Sequence, residues 1–168
     1  MSDTNLNEAL TAAIKAEHEG HYFYLMAART TTDTRGREVF ERLAADELLH
    51  MEYLQRQYQA IQQTGALDAS LELAPAPAPA TQTAIFSDDL KARLGEAHFE
   101  MTALSVGIQL ELSAQQFYLE HAGAAREDTA KAFFTELAAW ESSHYEVLLA
   151  QQDSLREQFW TENRFVPF

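Results

Sequence analysis

The 168-residue chain is predicted to fold as an all-α four-helix bundle, made of two duplicated helix hairpins joined by a long Pro-rich crossover. Three observations predict it. Apolar residues recur at three- and four-residue steps along most of the chain, the period of a helix with one buried face. Alternating Ala and Pro from Ala74 to Ala80 interrupt that period near the middle. The two halves also repeat at an offset of 94 positions. Ile14, Glu17, Phe23, Tyr24 and Leu25 recur as Ile108, Glu111, Phe117, Tyr118 and Leu119. Phe40, Leu43, Glu47 and His50 recur as Phe134, Leu137, Glu141 and His144. A period this long, present twice, is a duplicated hairpin and not a solenoid.

The first helix, from about residue 5, carries Leu6, Leu10, Ile14, Glu17, His21, Tyr24 and Ala28 on one stripe, with Asp3, Thr4 or Asn5 as its cap. The run from Arg29 to Gly36 breaks the pattern and reads as a short connection. A second helix, from about Arg37 to Gln63, aligns Phe40, Leu43, Glu47, His50, Leu54, Tyr58 and Ile61, and Thr64-Gly65 ends it. Residues 64–87 form the crossover. Its alternating Pro excludes helix and favours an extended chain rising ~3.1 Å per residue. A dozen such residues return the chain along helices roughly 40 Å long at 1.5 Å per residue.

The third helix is expected from about Asp88 to Ala122, capped by Ser87 or Asp88 and stopped by Gly123. Its stripe holds Leu90, Leu94, Met101, Leu104, Ile108, Glu111, Gln115 and Tyr118. The fourth, from about Asp128 to Glu157, turns Phe134, Leu137, Glu141, His144, Leu148 and Leu155 inward. One domain is therefore expected: hairpin 1 over about 5–63, hairpin 2 over about 88–157, and an aromatic tail, 158–168, docked on the bundle or on a second subunit.

Glu17, Glu47, Glu111 and Glu141 fall on the apolar stripes, where a core belongs. Burying one unpaired carboxylate costs several kcal/mol, and four converging ones repel each other. Two divalent cations would balance four carboxylates, with two neutral imidazoles completing the set. Glu and His three apart on a helix share a face, so Glu47-x-x-His50 and Glu141-x-x-His144 supply four of the six ligands of such a site. Glu17 and Glu111 supply terminal ligands. Oxygen-rich ligation with one imidazole per metal suits iron, with manganese or zinc as alternatives.

Composition narrows the partners. A formal net charge of −14 excludes a nucleic-acid surface and an anionic membrane. The absence of Cys excludes disulfides, thiolate sites and iron–sulfur clusters. A polar start, Met1-Ser2-Asp3, and the lack of a long apolar run lead to an expected cytoplasmic location.

Glu17 with Tyr24, Glu47-x-x-His50, Glu111 with Tyr118 and Glu141-x-x-His144 resemble the ferritin-like di-iron carboxylate superfamily. Rubrerythrin-type domains are the nearest resemblance, over about residues 5–155. The resemblance implies Glu17, Glu47, His50, Glu111, Glu141 and His144 as ligands of two irons. It places Tyr24 and Tyr118 beside the site, as donors of a hydrogen bond or an electron. Three departures stand out. The chain lacks the four Cys of a rubredoxin-like module, so its electron donor is a separate partner. Ala114 stands where rubrerythrins carry an extra Glu one turn after the third-helix ligand. Leu48 stands where bacterioferritins carry the haem-binding Met, so no haem is expected.

His21, one turn after Glu17, reads as a hydrogen-bonded core histidine or as a further partner of the site. Asp46 reads as a group orienting His50 or His144. Their repeat counterparts are Gln115 and Trp140. His18, His98 and His121 read as surface residues. The implied activity is reduction of hydrogen peroxide or dioxygen by a homodimeric enzyme. The alternatives are ferritin-like iron storage with ferroxidase activity, and a non-catalytic metal-binding bundle.

Overall fold

Helix starts and stops follow local hydrogen-bond chemistry. The structure is a computed structural model that describes residues 3–73, 85–91 and 97–162. Its helices are α1 (Asp3–Thr30), α2 (Thr34–Thr64), α3 (Asp88–Lys91), α4 (His98–Ala124) and α5 (Asp128–Glu162). Asp33 caps α2 by accepting the Gly36 amide at 2.8 Å. Gly65 closes it: at φ 78° it adopts the left-handed conformation that spares only glycine, and its amide returns to the Ile61 carbonyl. Among the described residues there is no strand, and no helix is long and apolar enough to cross a membrane.

Several boundaries differ from expectation. The first connection shortens from Arg29–Gly36 to residues 31–33, because Asp33 caps α2 and starts it at Thr34 instead of Arg37. The third helix does not run unbroken from Asp88. A single turn, α3, is capped by Ser87, whose Oγ accepts the Leu90 amide at 3.3 Å, and a new helix begins at His98. That turn seats Ile85, Phe86 and Leu90 in the core. Gly123 does not stop α4, which continues to Ala124; Ala125 is extended, a conformation that needs no glycine. The last helix runs on to Glu162, beyond the expected Glu157. The Ala-Pro segment 74–80 and the end of the aromatic tail lie outside the described residues.

The molecule is an all-α four-helix bundle of α1, α2, α4 and α5. Residues 31–33 join α1 to α2 and residues 125–127 join α4 to α5, so each hairpin packs antiparallel along its length. Side chains of α1 and α4 meet across the bundle. The apolar core falls into two parts that mirror the repeat. One holds Tyr24, Phe40, Leu104, Ile108 and Leu148; the other holds Leu10, Leu54, Tyr118, Phe134 and Leu137. Polar side chains occupy the level between them.

Two buried glutamines at equivalent positions of the repeat fasten the ends of the crossover. Gln57 donates to the Asp68 carbonyl at 3.0 Å and accepts the Asp68 amide at 2.9 Å. Gln151 accepts the Ile85 amide at 2.7 Å.

Candidate metal centre

Each bundle helix delivers its polar residues from the stripe that otherwise makes the core. Glu17 comes from α1, Glu47 and His50 from α2, Glu111 from α4, and Glu141 and His144 from α5. All six are at most 3 % exposed. Their ligand atoms fall into two overlapping groups, each with every atom within 4.8 Å of the others. Glu17, Glu47, His50 and Glu141 form one; Glu47, Glu111, Glu141 and His144 form the other. Glu47 and Glu141 belong to both. All six residues singled out by spacing and phase are thus brought together.

Both imidazoles present Nδ1 to the carboxylates. His50 Nδ1 lies 3.4 Å from Glu17 Oε2, 3.4 Å from Glu47 Oε2 and 3.2 Å from Glu141 Oε1. His144 Nδ1 lies 3.5 Å from both Glu47 Oε1 and Glu111 Oε2. The two rings stack at 5.6 Å. The tyrosines cross the bundle: Tyr24 of α1 donates to Glu111 Oε1 of α4, and Tyr118 of α4 donates to Glu17 Oε1 of α1. Each phenol therefore occupies one carboxylate oxygen and leaves the other facing an imidazole.

Crowding of like charge sets the titration. Burial, then the charges of Glu111 and Glu17, push Glu47 up to about 8. Burial, with Glu17 and Glu47 beside it, pushes Glu141 well above the usual carboxylate range. For Glu17 burial acts upward too, but the nearby His50, Glu47 and the Tyr118 hydroxyl outweigh it and hold the carboxyl low. Glu111 is lowered in the same way, with His144 the main partner. Burial opposes charging of His50 and His144, yet the surrounding carboxylates raise both well above the ordinary histidine value. Burial and the adjacent carboxylates keep both phenols protonated.

Around this centre the repeat breaks. Asp46 Oδ2 stands 3.4 Å from His144 Nε2, on the far side of the ring from the carboxylates. Its counterpart Trp140 packs edge-on against His50, with ring centroids 5.0 Å apart, and also against His144 at 6.0 Å. Asp46 thus faces the histidine of the opposite hairpin. His21 is not in either group: its Nδ1 contacts the Ala44 carbonyl at 2.6 Å, tying α1 to α2. It is a half-buried histidine held by a backbone carbonyl.

His18 and His98 are exposed. His121 is half-buried instead of lying on the surface, because its ring packs 4.1 Å from Phe117 and 5.3 Å from Phe134. Sequence reasoning did not single out Glu100, which is buried away from the centre and accepts Thr31 Oγ1 at 2.8 Å. Its repeat counterpart is Leu6, so neither the repeat nor a motif marks it.

Among the described residues, the buried polar side-chain atoms that make no well-directed hydrogen bond all belong to this centre: both ring nitrogens of His50 and of His144, and Glu141 Oε1, although carboxylate oxygens stand close to three of those nitrogens. Buried polar atoms are nearly always satisfied. Orphaned nitrogen and carboxylate donors beside four carboxylates fit a pair of divalent cations. The Rubrerythrin family profile matches residues 8–152, a span containing all six residues and both tyrosines. No curated protein and no solved structure matches the chain.

Proposed function

The chain belongs to the rubrerythrin family, and on that premise we propose that it is a di-iron redox enzyme reducing hydrogen peroxide or dioxygen. The observation that supports this reading is the set of orphaned donors at a level of the bundle sealed by apolar core on both sides. Glu17 and His50 would hold one iron, Glu111 and His144 the other, with Glu47 and Glu141 shared between them. An iron pair, when bound, supplies the electrons and Lewis acidity that O–O bond cleavage needs.

The chain's own residues supply position and protonation state. Tyr24 and Tyr118 fix the rotation of Glu111 and Glu17, so that Oε2 of each faces the centre. Asp46 beside Nε2 holds the His144 ring with Nδ1 inward. Phe40, Phe134 and the leucines around them keep bulk water from the polar level.

Anaerobic titration with ferrous iron tests the assignment. The wild-type chain is expected to take up two irons, and Glu141→Ala, which removes a residue common to both groups, is expected to lose stoichiometric uptake of the pair. Retention of both irons by that variant sinks the assignment. Stopped-flow mixing of the ferrous protein with peroxide and with dioxygen then identifies the preferred oxidant.

A further inference from the structure

A cavity of about 300 Å³ lies between α1 and α4, directly over the centre. Ala12, Ala16, Glu19 and Gly20 line it from α1 and Leu110, Ser113, Ala114 and Phe117 from α4; of these Ala12, Ala16, Glu19 and Ser113 are exposed. Glu17, Glu47, Glu111, Glu141 and the two tyrosines also border it and form its polar floor. Gly20 and Ala114 are repeat equivalents, each three residues beyond a terminal carboxylate. Gly20 abuts the centre itself, since a Cβ there would sit 3.5 Å from Glu47 Cγ. Small side chains at these two positions set how much room remains above the carboxylates.

That room far exceeds the need of an oxidant with two non-hydrogen atoms. An apolar cavity of roughly 150 Å³ accommodates benzene. Twice that volume holds about a dozen non-hydrogen atoms, at the lower edge of the roughly 300–1,000 Å³ typical of small-molecule sites. The lining also selects. Its apolar walls disfavour any ion that must give up its water to enter.

We propose that this cavity binds an organic ligand: a neutral, mainly apolar molecule of about ten non-hydrogen atoms with one polar end turned to the carboxylate floor. As a substrate site it rests on the reading of the centre as the place of reaction, whereas the binding it requires does not.

Calorimetric titration of the zinc-loaded full chain with 1-octanol tests it, with metal content measured in the same samples. One 1-octanol per chain is expected. Alanine-methyl NMR shifts should centre on Ala12, Ala16 and Ala114. Ala114→Leu fills the cavity and should weaken 1-octanol about tenfold or more while zinc content stays the same. If that variant does not melt cooperatively, Ala16→Leu fills the space from α1 and is held to the same result. Absence of saturable uptake, shifts centred elsewhere, or undiminished binding by the filled variant overturns the proposal. A chain that binds 1-octanol but not two zinc ions removes the di-iron reading and leaves the cavity standing; the reverse removes only the cavity.

Discussion

Tyr118 and Glu17 meet across the bundle from residues 101 positions apart, joined by a single hydrogen bond that the phenol donates. Removing the phenol oxygen leaves Glu17 Oε1 buried without its donor, a loss of about 1–3 kcal/mol. Tyr118→Phe should therefore lower the urea-unfolding free energy of the metal-free chain by that amount. Its aromatic packing against Phe134 persists, so the transition should stay cooperative. A seven-residue step from Glu to Tyr, two helical turns, was enough to place both tyrosines at the level of the site. It did not reveal that each serves the other hairpin, because spacing within a helix defines a face and not the partner opposite. His21 teaches the same lesson. Its phase matched the centre, but a backbone carbonyl on the neighbouring helix lay nearer.

At the scale of the elements, the four bundle helices were legible because each carries an unbroken apolar stripe, and the capping residues at Asp33 and Gly65 closed α2 within a few residues of expectation. The split between α3 and α4 was not legible. Leu90 and Leu94 keep the helical period with Met101, so the stripe gives no sign that α3 is a separate turn. What holds that turn is tertiary: Ser87 bonded to the Asp33 carboxylate, and Phe86 seated on Gly36. A Cβ on Gly36 would lie 2.5 Å from Phe86 Cε1. Alanine is intrinsically the better helix former by about 1 kcal/mol. Gly36→Ala should nonetheless destabilise the chain, by about 1–3 kcal/mol, because the ring must move out of a packed end. Chemical denaturation compared with wild type checks the sign, and a stabilised variant would show that Phe86 is not held there.

For the whole molecule, the centre couples stability to pH. Glu47 is raised to about 8, and Glu141 is raised as well, so the folded metal-free chain holds protons that the unfolded chain, titrating near 4.3, has lost. Stability from these groups is complete below about pH 4.3 and drains away as pH rises through about 8. His50 and His144, also raised, act with the same sign. Glu17 and Glu111 are lowered and act oppositely, losing their contribution as pH falls through their folded values. The melting temperature of the metal-free chain should therefore decline between about pH 5 and 8, where the raised groups dominate. Cations that take the place of those protons should flatten the profile and bind more tightly as pH rises. Scanning calorimetry with chelator and with zinc, across that range, measures both. A metal-free profile that rises over the window contradicts the assigned directions.

Each group of four takes three members from one hairpin and its fourth from the other: Glu141 completes the first and Glu47 the second. Both tyrosine contacts run across the same divide. A lone hairpin therefore completes neither group, and the centre exists only where the two halves meet. Where that reciprocity does not bind them the halves differ: Asp46 and Trp140, equivalent in the repeat, flank the histidines with a carboxylate and an indole.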